Sequence, residues 1–307
     1  MTNKIIRVEN LGKRFGDFQA VNDLNFELEA GKIYGIIGPN GAGKSTTMSL
    51  LMGLIFPTTG MGLIDGDPLG SKEAKSKMGY SPEFPSFYTK MTCIEYLVYQ
   101  AMLMEMSEEE AYQRAISLIK EFNLEKHMFK YVQSFSTGMK KKVGLIQALI
   151  HHPKIVLLDE PTANLDPTSR NEIISTLKKL TKEEQMTVLI SSHVLSELET
   201  IIDHVLMINH GCLVLNEDLQ TMQKRFRNTD LLVESDHNEE LKAYLLSKKQ
   251  NVSLNQNQLI IQSEDKDSVS KMIVEACYKN NWQLILLQNQ VVTLDSLYRQ
   301  LVKGEKS

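Results

Sequence analysis

The chain has 307 residues, 42% of them hydrophobic and 23% charged, with a formal net charge of -4. That profile fits a globular protein with a real core, built as one large domain or two ordinary ones, and it excludes a nucleic-acid partner recruited by bulk electrostatics. The longest apolar runs, residues 155–158 and 284–287, fall far short of the about 20 residues that span a bilayer, and residues 1–10 lack the apolar stretch of a secretory signal.

The first third reads as strands and turns. Residues 5–8 and 25–28 are strand-like, with turns expected at Gly12, Gly16-Asp17 and Ala30-Gly31. A buried-type strand over residues 32–37 runs straight into GPNGAGKST, and a helix is predicted over 46–54, stopping near Pro57. Cys93, Cys212 and Cys277 make no zinc or disulfide pattern and read as small apolar residues of a reducing cytosol. From about 84 to 152 the pattern is helical. Ser107 and Glu110 fit a capping box, and Ala115, Ile116, Leu118, Ile119 and Phe122 form a core-facing stripe.

Residues 134–142, SFSTGMKKK, look like a helix start carrying three lysines. Lysine opposes the dipole there, whereas an anion is favoured. The segment therefore reads as an anion site, with Lys140, Lys141 and Lys142 taken mainly as solvated. Strands and helices alternate from 154 to 213, with buried strands at 155–158 and 187–190, as in a parallel α/β sheet. A basic, polar run at 224–228 (KRFRN) marks a boundary, giving domains 1–223 and 224–307. In the second, strands at 231–234, 252–254, 258–262 and 282–287 and helices at 239–248 and 268–278 give a ferredoxin-like βαββαβ order. A hairpin turn around 255–257 and a last helix over 294–302 complete it.

Two motifs carry chemistry. Gly38, Pro39, Asn40, Gly41, Ala42, Gly43, Lys44 and Ser45 match a phosphate loop, placed after an apolar strand and before a helix. Its amides and helix N-terminus suit phosphate, Lys44 suits the β- and γ-phosphates, and Ser45 suits Mg²⁺. Asp159 and Glu160 end the apolar strand at 155–158, the edge at which open α/β sheets bind ligands. Asp159 is placed to hold a metal shell and Glu160 to orient or deprotonate a water. Together they indicate a nucleoside triphosphate site and leave open what hydrolysis drives.

Over about residues 4–220 the chain resembles the nucleotide-binding subunits of ATP-binding cassette (ABC) transporters, in the drug and peptide exporter, ABC-2-like branch. Motifs occur in the family's order: LGKRFG with Phe15, GPNGAGKST through Thr46, FSTGM at 135–139, LLDEP, the D-loop Ala163-Asn164-Leu165-Asp166, and Ser191-Ser192-His193. The resemblance implies a P-loop ATPase with N-terminal antiparallel strands, a mixed sheet and an inserted helical subdomain, plus the small C-terminal α+β domain. It implies that Phe15 stacks adenine and that two subunits close head to tail around two ATP molecules. Ser136, Thr137, Gly138 and Met139 would then reach ATP held by the partner. Glu160 would be the general base, His193 would bind the γ-phosphate and orient it, and Asp166 would act across the interface. ATP and Mg²⁺ are the implied ligands, the metal falling to Ser45, Asp159 and Glu83. Two departures stand out. Glu83 replaces the usual glutamine after Gly79-Tyr80-Ser81-Pro82, and FSTGM replaces LSGGQ, keeping Ser136 and Gly138. Residues 293–298 loosely resemble the closing motif of that branch's accessory domain.

The function expected is thus an ATPase subunit that drives export of a peptide, drug or lipid through a separate permease, docked around residues 84–99. It would sit at the inner face of the cell membrane with no nucleic-acid partner. The alternatives are a soluble cassette ATPase acting on ribosomes or DNA, disfavoured by a single cassette without long heptads, and a subunit that dimerises without turnover, disfavoured by Glu160 and His193.

Overall fold

The computed structural model describes residues 4–225, 230–255, 257–263, 265–289 and 293–298. The chain forms two compact units, which part between Leu219 and Gln220 and again between Leu297 and Tyr298, the last described residue. Residues 226–228 of the basic run lie outside the described residues, as do Gln256 of the expected hairpin turn and 299–302 of the last helix.

In the first unit the elements run β1 (Lys4–Phe15), β2 (Phe18–Glu29), β3 (Ile33–Ile37), α1 (Lys44–Leu51), β4 (Thr59–Ile64), β5 (Asp67–Pro68), α2 (Lys72–Ser76) and β6 (Met78–Ser81). The helices α3 (Cys93–Leu103), α4 (Glu108–Glu121) and α5 (Thr137–Leu149) follow. Then come β7 (Ile155–Asp159), α6 (Pro167–Glu184), β8 (Thr187–Ser191), α7 (Leu195–Leu198), β9 (His204–Asn209) and β10 (Cys212–Asp218), and α8 (Leu219–Arg225) begins at the boundary and belongs to the second unit from Gln220 on. Two sheets form, an antiparallel one ordered β2-β1-β4-β5 and a larger one ordered β10-β9-β3-β8-β7-β6. The larger sheet is parallel except for its β9–β10 pair.

Strands β3, β7 and β8 are buried at every position, so they read as apolar runs without alternation. One core joins the two sheets through α1: Leu11, Leu24 and Leu28 from the first, Met48 and Leu51 from the helix, and Tyr34, Leu157 and Leu189 from the second. Each such aliphatic side chain contributes about 1.5–3 kcal/mol by leaving water. That packing fixes the ends of β3, β7 and β8 at one edge of the sheet.

Four expectations are corrected. Gly12 lies inside β1, not in a turn, because β1 and β2 each run 12 residues with register shifts that absorb the irregularity. Helix α1 begins at Lys44 and ends at Leu51. Ser107 caps α4 through the Glu110 amide, but the reciprocal capping box belongs to Thr92 and Glu95 at α3. Lys141 and Lys142 are buried, at 3% and 8% exposure, where solvation was expected. Among the cysteines, Cys93 and Cys277 are buried, Cys212 is half-buried, and all are free.

The second unit runs β11 (Asp230–Ser235), α9 (Asn238–Ser247), β12 (Asn251–Asn255), β13 (Gln258–Gln262), α10 (Lys266–Asn280), β14 (Leu284–Asn289) and α11 (Leu294–Tyr298). Its sheet is antiparallel and ordered β12-β13-β11-β14, which is the ferredoxin-like arrangement. Leu231, Val233, Leu259 and Ile261 face Leu241, Leu245, Val269 and Ile273 of the helices in a core of its own.

Candidate nucleotide site

The loop 38–43 connects β3 to α1, and its glycines answer to close backbone approaches. A Cβ on Gly38 would lie 2.1 Å from the Ile208 carbonyl oxygen, and one on Gly43, at φ 106°, 2.6 Å from that of Ala20. Gly43 caps α1 without any side-chain hydrogen bond, so the first amides of the helix carry no side-chain acceptor. Lys44 lies beneath this loop, 8% exposed, and its Nζ donates to the carbonyls of Gly38 (2.7 Å) and Pro39 (3.1 Å). Burial pulls its ammonium below the ordinary lysine range, and the carboxylates of Glu160 and Asp159 pull the other way. Asn40, Gly41 and Ser45 are exposed, Pro39 and Thr46 half-buried and Ala42 buried. Phe15, at the end of β1, exposes half of its ring, with the Lys13 ammonium 5.0 Å from its centre.

Asp159 and Glu160 end β7 next to β8. Asp159 pairs in register with Ser191, whose hydroxyl donates to Asp159 Oδ1 at 2.6 Å and accepts the Glu160 amide at 3.0 Å. Glu160 adopts a left-handed φ of 49°, and its Oε2 lies 2.8 Å from His193 Nδ1. The carboxylate is almost covered while the imidazole is 60% exposed. Ser191 was quoted in the sequence only as the neighbour of His193. Its bridging hydroxyl depends on strand register and was not foreseen.

The signature segment opens α5. Ser136 is its exposed N-cap, with Oγ accepting the Met139 amide at 3.3 Å. A Cβ on Gly138 would sit 3.5 Å from Leu165 and 3.7 Å from the Ser169 hydroxyl, so the signature lies beside the D-loop of its own chain. Asp166 caps α6, accepting the amides of Thr168 and Ser169 at 3.0 Å. The hydrogen bonds from Ser169 hold its carboxyl below the usual range. Arg170, absent from the sequence reading, donates to the Leu165 carbonyl at 3.2 Å and ion-pairs with Glu197 of α7, tying the D-loop to the segment after His193.

Glu83 is half-buried beyond β6, the strand next to β7. Glu83, Asp159 and Ser45 are hard oxygen donors, a set that suits a small divalent cation. Among the described residues no three His, Cys, Asp or Glu side chains converge, so such a cation would also need hydroxyl and phosphate oxygens.

The family model described as ABC transporter matches residues 21–163. The bacitracin transport ATP-binding protein of Bacillus licheniformis is 37% identical over 73% of this chain and 72% of its own length. An uncharacterised ABC transporter ATP-binding protein of Bacillus subtilis is 30% identical over 98% of this chain and 97% of its own. Among solved structures, a dimeric bacterial ABC transporter cassette superposes with a TM-score of 0.65 at 26% identity, covering 70% of this chain and 98% of the other.

Proposed function

Because the chain belongs to the ATP-binding subunits of ABC transporters, we propose that it hydrolyses ATP in a head-to-tail pair of such subunits and so powers export through a separate permease. The observation that carries this reading is the 2.8 Å contact between Glu160 and His193, beside buried Asp159, on the sheet that also ends in the phosphate loop.

In this reading the amides of the loop and of the start of α1, with Lys44 and Thr46, bind the phosphates, and Phe15 stacks on the base. Ser45, Asp159 and Glu83 hold Mg²⁺, which supplies charge neutralisation at the phosphates when bound. Glu160 takes a proton from the attacking water, and His193 orients its carboxylate through Nδ1. The signature Ser136, Thr137, Gly138 and Met139 faces ATP held by the partner, with Ser136 and Gly138 at its γ-phosphate, and Asp166 acts across the same interface. The dimeric cassette of like fold supports that pairing.

No helix of the described residues is long and apolar enough to cross a membrane. Phe84, Tyr88 and Tyr99 are exposed, with Met102 and Leu103 on the same helix as Tyr99. That apolar set supports docking of the permease around residues 84–99, at the cytoplasmic face of the membrane. The bacitracin transport relative supports a transport role, proposed here for a peptide, drug or lipid, and argues against a ribosome- or DNA-acting role. The C-terminal unit is an accessory domain in this reading, one that supports dimerisation or regulates closure.

The test is Glu160→Gln. Phosphate release should fall by about 10³-fold, while ATP still drives dimer formation in size-exclusion chromatography. Turnover at the wild-type rate would remove Glu160 as the base.

A further inference from the structure

The lysine run after the signature does not act as a unit. Lys142 pairs with Glu172 at 2.6 Å, a local contact between α5 and α6. Lys141 points elsewhere: it is 3% exposed and its Nζ donates to the main-chain carbonyl of Glu160 at 2.6 Å. An ammonium is expensive to bury without partners. Burial lowers the pKa of Lys141, and the nearby carboxylates of Glu83, Glu160 and Asp159 oppose that shift.

The carbonyl it holds belongs to a strained residue. Glu160 is not glycine, yet its φ is 49°, and a left-handed non-glycine residue persists only where its surroundings over-determine it. Three groups grip its peptide atoms: Ser191 Oγ takes the amide at 3.0 Å, while Lys141 Nζ (2.6 Å) and the Ala163 amide (3.2 Å) donate to the carbonyl. Of these, Lys141 makes the shortest contact and alone is charged. Rotation of this turn would swing the carboxylate off His193.

We propose that Lys141 is a positioning residue for ATP hydrolysis: its ammonium clamps the Glu160 carbonyl and thereby aims the Glu160 carboxylate. Lys141 touches neither nucleotide nor water in this account and acts through Glu160. The inference rests on the reading of Glu160 as the base, and the Glu160→Gln variant tests that reading separately.

The experiment measures kcat and KM for ATP, by phosphate release, on the full chain and on Lys141→Met and Lys141→Gln, each with its melting midpoint. Methionine removes charge and donor, so kcat falls about 100-fold with KM held within about threefold, the scale of a misplaced catalytic group. Glutamine keeps a donor without the charge, so kcat falls about tenfold, between the wild type and Lys141→Met. A Lys141→Met enzyme within threefold of the wild-type kcat overturns the proposal. So does a loss carried equally by KM, or a Lys141→Gln enzyme no faster than Lys141→Met. If Lys141→Met does not fold, Lys141→Gln decides: a kcat within threefold of the wild type overturns the proposal. If Glu160→Gln retains full turnover, the base assignment fails irrespective of Lys141.

Discussion

The phosphate loop and the signature segment are built from similar parts. Each joins small residues to a helix start, and each buries a lysine within the first two turns, Lys44 at 8% and Lys141 at 3% exposure. Lys44 stays with its own loop, donating to Gly38 and Pro39. Lys141 leaves its helix start and holds Glu160, 19 positions along the chain. The caps differ in the same sense. Gly43 offers α1 no side-chain acceptor, whereas Ser136 already satisfies the Met139 amide and retains a hydroxyl proton to donate. One helix start is a backbone cradle with its lysine at hand. The other is a self-capped serine edge whose lysine serves a different element. Similar residues in similar order therefore do different work, according to what lies beneath them.

Breaking the cradle should have the larger effect on ATP affinity. Lys44→Ala removes a charged donor, worth about 1.5–3 kcal/mol per contact, so the ATP dissociation constant should rise about 10- to 100-fold. Equal affinity in calorimetric titration would mean that Lys44 serves only its own loop. Ser136→Arg should do the opposite: ATP binding to the variant's own loop is retained, and the ATP-dependent dimer disappears in size-exclusion runs. A dimer that still forms would separate the signature serine from the interface. Phe15→Ala should weaken ATP by a smaller step, about 2- to 10-fold, because one exposed ring contributes about 0.5–1.5 kcal/mol of stacking. An unchanged constant would move the base off Phe15.

The smallest expected effect is thermal. Asp166→Ala removes the cap of α6 and should lower the melting midpoint slightly. The folded-state pKa of Asp166 is depressed. Its contribution is therefore present above the unfolded value near 4 and is lost as pH falls through the lower folded value. The gap between variant and wild type should close on acidification. A gap independent of pH would place the effect in packing and not in the charged cap.

Much of this molecule was legible before any coordinates. GPNGAGKST has one common use between an apolar strand and a helix, and two of its glycines sit where an added Cβ would come within 2.1 and 2.6 Å of a backbone oxygen. The βαββαβ order of the second unit followed from period and turn residues alone. Other features resisted because they depend on partners far along the chain. Gly12 looked like a turn because strand bulges leave no local signature. Ser191 looked like a bystander because its bridge exists only through the register of β7 with β8.

Local patterns in the chain thus specify the elements, the loop chemistry and the two acids at the strand end, since each rests on spacing within a few residues. The burial of Lys141, the left-handed turn at Glu160 and the meeting of Glu160 with His193 across 33 positions come from packing. Charges are placed by the dielectric and the partners around them, and those exist only once the sheet has brought distant residues together.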